Sequence, residues 1–95
     1  MPRKTTAPGA ELRIAHNVRL GIGRRIALRR AALGMSQSEL AVRFGVSRTT
    51  LSQVEIGAAD LNAGDMVYLA GLLQVPVTYF YISEGDATAD AASPS

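Results

Sequence analysis

The 95-residue chain, 47% hydrophobic and 19% charged, has the composition of one globular domain and not of a disordered or membrane-embedded chain. It has no cysteine, and its single histidine, His16, can complete neither a zinc set nor a nucleophile–base–acid constellation, so no metal, no cofactor and no enzymatic activity are expected. All ten basic residues lie at or before Arg48 with only two acids among them, giving that part +8 and the remainder −6, which points to a polyanion-binding half.

Residues 1–15 mix Pro2, Pro8, Gly9, Thr5 and Thr6 with basic residues and show no sustained period, so a flexible basic arm is expected, with Arg3 and Lys4 able to reach along a duplex or into a minor groove. No apolar run is long enough to span a membrane and no signal-peptide stretch follows the basic start, so a soluble cytoplasmic protein is expected. The first helix is predicted from about Asn17 to Leu33, with Val18, Ile22, Ile26 and Leu33 inward and Gly34 as its left-handed stop. Arg30 falls in that apolar stripe, so its guanidinium must find an anion or turn out along its stem. Gly21-Ile-Gly23 begins like a nucleotide-binding glycine motif, but no strand precedes it and Ile26 stands where a third glycine is needed.

Ser36 and Glu39 form a capping-box pattern that opens a second helix with Leu40, Ala41 and Phe44 inward. Gly45 interrupts it, Val46 anchors the turn, and Ser47 can cap a third helix running to about Ile56 and closed by Gly57. In that third helix Leu51, Val54 and Glu55 share one edge, and Arg48, Thr49, Ser52 and Gln53 occupy the other. Asn62 and Asp65 can cap a fourth helix that buries Ala63, Met66, Leu69, Ala70 and Leu73, and Pro76 starts a short fifth helix through about Tyr81. Three consecutive aromatics at 79–81 exceed what so short a segment can bury alone. Val77, Tyr79, Tyr81 and Ile82 are therefore candidates for a homodimer contact. The expected organisation is a basic arm at 1–15, a helical domain at 16–82 and a disordered acidic tail at 83–95.

A helix entering a DNA major groove needs donors and acceptors on a face its own core does not claim. Arg48 can give two parallel hydrogen bonds to guanine, Gln53 can pair with adenine, and the Thr49 methyl can contact thymine. Gln37, in the first turn of the second helix, is placed to meet a phosphate.

The segments Leu33-Gly-Met-Ser-Gln-Ser-Glu-Leu-Ala41, Phe44-Gly-Val-Ser47 and Leu51-Ser-Gln-Val-Glu-Ile-Gly57 resemble the Cro and phage-repressor type of helix-turn-helix regulator, often called Xre-like, and the likeness extends from about Val18 to Ile82. The resemblance implies an all-α, five-helix, lambda-repressor-like domain that binds double-stranded DNA as a two-fold homodimer on a pseudo-palindromic operator. By position it implies base contacts from Arg48, Thr49, Ser52 and Gln53, a phosphate contact from Gln37, and an interior ion pair between Arg30 and Glu55. The loop Gly57-Ala-Ala-Asp-Leu-Asn62 departs from the family, where basic residues and a proline are usual, because it carries Asp60 and Leu61. Phosphate contacts are therefore expected upstream, from Arg19, Arg24, Arg25 and Arg29 of the first helix and from Arg43. The expected function is a transcription regulator acting as a repressor, on the nucleoid of a bacterial or phage-infected cell. The alternatives are an antitoxin whose acidic tail from Ser83 engages a toxin protein, and an adaptor that uses the same fold to bind protein.

Overall fold

The computed structural model describes residues 8–81, in which every regular element is helical: α1 (Pro8–Ala32), α2 (Gln37–Phe44), α3 (Arg48–Glu55), α4 (Ala63–Leu73) and a 3₁₀ helix (Val77–Tyr81). Most of the expected basic arm and all of the acidic tail, with Ile82, lie outside the described residues.

Two elements differ from expectation. The helix α1 begins at Pro8 and not near Asn17, so residues 8–15 belong to it and not to an arm. Proline suits a first turn, whose amide has no intrahelical partner, and Ala10 to Arg13 are good helix formers. A search for a buried stripe misses this stretch because Arg13 to Val18 are exposed. The fifth segment is not an α-helix. The amide of Tyr79 bonds back three residues to the carbonyl of Pro76 at 2.9 Å, and the five residues 77–81 wind as a tight 3₁₀ turn.

Each helix boundary has a local cause. Ser36 accepts from the Glu39 amide while the Glu39 carboxylate accepts from the Ser36 amide, closing the capping box. Asn62 caps α4 through the Asp65 amide at 2.7 Å. At the other end α2 stops at Gly45, which adopts φ 85° and returns its amide to the carbonyls of Ala41 and Val42. A side chain at that φ would be strained, so the turn between α2 and α3 depends on glycine. The end of α4 uses Gln74 in the same left-handed region, a non-glycine stop with no evident sequence signal.

The core is a set of large apolar side chains, one or two from each element: Ile26, Leu40, Leu51, Leu69, Leu73 and Phe80 are fully buried. Each contributes roughly 1.5–3 kcal/mol by leaving water. Two residues expected inside are outside, Val18 at 48% exposure and Ala63 at the start of α4. The close crossing of α1 over α3 occurs farther along, at Gly23, which is buried. A Cβ there would overlap the carbonyl oxygens of Val54 and Glu55, so Gly23 serves helix packing, whereas a Cβ at Gly21 would meet nothing.

Candidate nucleic-acid interface

The α2–turn–α3 unit presents its third helix with one face committed and one open. Leu51, Val54 and Glu55 are buried against the body, and Arg48, Thr49 and Gln53 are exposed. Ser52 is half-buried on the shoulder between the two faces. Ser47 positions the start of α3 by accepting from the Thr50 amide at 3.0 Å, and its hydroxyl also bonds the Thr50 hydroxyl. Thr50 is thereby engaged locally.

The open face includes one residue the sequence reading missed. Ile56 is 62% exposed and lies three residues after Gln53 and seven after Thr49, so it extends the same stripe. Its spacing was the available signal, masked by its place at the apolar end of the helix. An apolar side chain there can meet a thymine methyl.

Behind this face runs a polar network. Arg30 grips Glu55 with two hydrogen bonds, Nε to Oε2 at 2.7 Å and Nη2 to Oε1 at 3.1 Å, and gives a third from Nη1 to the carbonyl of Met35. The pair is largely removed from water, with side-chain exposures of 17% and 5%. Gln37 Nε2 donates to the same Glu55 carboxylate at 2.8 Å, and its Oε1 accepts from Arg48 Nη1 at 3.4 Å. One chain of contacts thus joins α1, the turn after it, α2 and the N-terminus of α3. Gln37, expected to meet a phosphate, is half-buried with its amide already engaged by two protein partners. One amide hydrogen stays available to a ligand.

The other candidate phosphate contacts scatter. Arg25 sits over the ring of Tyr79, 5.3 Å from its centroid, and Arg29 donates from Nε to the carbonyl of Leu73 at the end of α4 at 2.8 Å. Positions 18, 22, 25 and 29 share the stripe of α1 that faces the C-terminal elements, so the fold engages both arginines there and not beside α3. Arg19 does lie near the loop that follows α3, but it is paired with Asp60 at 3.4 Å. Arg24 on α1 and Arg43 in the last turn of α2 are exposed. Tyr68 reaches the backbone of that turn, its hydroxyl donating to the Arg43 carbonyl at 3.1 Å, and packs its ring against Phe44.

The candidate dimer residues also divide. Tyr79 is half-buried under Arg25, Val77 is half-buried against the core, and Tyr81 is 58% exposed; Ile82 lies outside the described residues. Phe80 is the aromatic of the three that the core takes in, at 1% exposure. Among the described residues no cluster of His, Asp and Glu is arranged to hold a metal ion, and no helix is long and apolar enough to cross a membrane.

A family model described as helix-turn-helix matches residues 26–80. A transcriptional regulator of Rhodospirillum rubrum, named for the ATPase CF(0) region, is 34% identical over 89 residues, covering 92% of this chain and 82% of that protein. Helix-turn-helix-type transcriptional regulators of Sinorhizobium medicae and Rhizobium meliloti are each 35% identical over 60 residues, or 63% of this chain, which spans 43% of the length of either.

Proposed function

The chain belongs to the helix-turn-helix family of the Cro and phage-repressor type and is a DNA-binding transcription regulator, and we propose that it is a cytoplasmic homodimeric repressor whose α3 reads a pseudo-palindromic operator in the major groove. The observation that carries this reading is the division of α3. Its buried face is tied to α1 and α2 through Glu55, while Thr49, Gln53 and Ile56 stand open in a row with Ser52 at the shoulder.

In this reading Arg48 and Gln53 make hydrogen bonds to base edges, and Thr49 and Ile56 supply methyl contacts. Gln37 holds Arg48 at the start of the helix and offers its remaining amide hydrogen to the backbone. Arg43 and Arg24, both exposed, supply charge for the phosphates, and Arg19 does so once it leaves Asp60. Arg25 has no DNA role; its part is to stack on Tyr79. The dimer forms on the side of the 3₁₀ helix, where Tyr81 is the exposed aromatic.

Selection of bound duplexes from a random pool tests the whole reading. It should return two related half-sites with centres roughly 34–36 Å apart, one helical turn. Unrelated sequences, or a single asymmetric site, would contradict the two-fold reading. Tyr81→Glu should sediment as a monomer at concentrations where the parent is dimeric, and an unchanged dimer would move the interface elsewhere.

A further inference from the structure

Arg48 opens α3 and Glu55 closes it, about two helical turns farther along the axis, so any influence of the acid on the arginine must pass through another group. Gln37, the first residue of α2, is that group. Its Nε2 donates to Glu55 Oε1 at 2.8 Å, and its Oε1 accepts from Arg48 Nη1 at 3.4 Å. The two partners make opposite demands. A carboxylate gripped by a guanidinium offers only acceptors, and a guanidinium offers only donors. A glutamine amide has one end of each kind and fits between them in a single orientation. Turned end for end, it would set its carbonyl against the Glu55 oxygens and its NH₂ against the arginine, with both hydrogen bonds lost.

The partner that decides the orientation is the one that is fixed. Glu55 has a side-chain exposure of 5%, and Arg30 of α1 holds both of its oxygens, Oε2 at 2.7 Å and Oε1 at 3.1 Å. Arg48 is exposed, and a long side chain in water must be ordered at a cost when it binds. The bond to Gln37 uses one N–H at Nη1, which leaves donors for the O6 and N7 acceptors of a guanine.

We propose that Glu55 is a positioning residue for base recognition: by drawing the NH₂ of Gln37 to itself, it turns the Gln37 carbonyl toward Arg48 and orders that guanidinium before DNA arrives. This role rests on the reading in which Arg48 contacts a base edge. The interior pair Arg30–Glu55 then has two duties, holding α1 on α3 and setting one base preference from behind the reading face.

The readout is discrimination, the ratio of affinities for a selected operator and for its variants at one base pair, measured on folded protein. Arg48→Ala and Gln53→Ala identify the base pair that each side chain reads. Glu55→Gln keeps the shape of the side chain but gives it an end of each kind, so it no longer dictates how Gln37 turns. It should lower discrimination at the Arg48 base pair by about fivefold or more and leave that at the Gln53 base pair within about twofold. Gln37→Leu should do the same, and the two changes together should lower it no further than either alone. Equal losses at both base pairs, the mark of a merely loosened α3, would overturn the role of Glu55, as would losses that multiply in the double variant. Arg48→Ala without effect at any base pair would instead overturn the base contact itself. Amide exchange in the parent chain needs no substitution. The Gln37 side-chain NH₂ should exchange with water at least about tenfold more slowly than that of the exposed Gln74, and equal rates would contradict the link.

Discussion

The α2–turn–α3 unit and α1 are both helical and in direct contact, yet they are determined in different ways. In α2–turn–α3 each feature has its cause within four residues: Ser36 with Glu39, Gly45 with Ala41, Ser47 with Thr50. In α1 the decisive contacts are distant in sequence, Gly23 beneath Val54, Arg30 on Glu55, Arg25 on Tyr79 and Arg29 on Leu73. The first unit can therefore be shaped by its own residues, and α1 acts as a spine that receives its geometry from everything packed on it. The reading face of α3 depends on both, since Glu55 belongs to α3 and its partner Arg30 to α1.

Substitutions can break that comparison. The largest effect is expected at the joint. Glu55→Ala strips Arg30 and Gln37 of their shared acceptor and leaves a largely buried guanidinium unpaired, costing about 3–5 kcal/mol in urea unfolding. A cost near that of a surface pair, under about 1 kcal/mol, would show that α1 and α3 are positioned independently. Gly23→Ala comes next. Its methyl meets backbone carbonyls and not the end of a flexible side chain, so α1 must lift from α3 at a cost of roughly 1–3 kcal/mol. Gly21→Ala, where an added Cβ meets nothing, is the control and should be neutral or slightly stabilising.

A purely local change sharpens the other side. Ser47→Ala removes the cap of α3 and should cost about 1 kcal/mol. The smallest effect separates the arginines. Arg25→Ala should lose about 0.5–1 kcal/mol of stability from its stacking on Tyr79 and leave the slope of DNA affinity against salt unchanged, whereas Arg43→Ala should leave stability alone and reduce that slope by about 1. The reverse pattern would return Arg25 to the DNA face.

The same division explains what could be read from the sequence. Helix stops at Gly34, Gly45 and Gly57, the capping box and the two faces of α3 are local patterns, legible because neighbours a turn apart create them. Arg30 announced itself as a charge in an apolar stripe, although only the likeness to known regulators supplied Glu55 as its partner. What remained hidden was set by the tertiary arrangement. Nothing local distinguishes Arg25 and Arg29, turned to the C-terminal elements, from the exposed Arg24, because a basic residue's partner depends on what lies across from it. The start of α1 at Pro8 and the exposure of Val18 escaped for a related reason: a helix that overhangs its domain carries no core-facing stripe to betray it. Ile56 entered only as the approximate end of the third helix, though its angle around α3 places it with Thr49 and Gln53.

The central claim is that the open face of α3 reads bases. Its direct measurement is the affinity of the parent and of Arg48→Ala and Gln53→Ala for a selected operator and for every single base-pair variant of it, at fixed salt. Each substitution should cost about 1–3 kcal/mol on the operator and abolish discrimination at one or two base pairs while leaving the others intact. Unchanged affinity and site preference in both variants, or a loss spread evenly over all sequences, would contradict it.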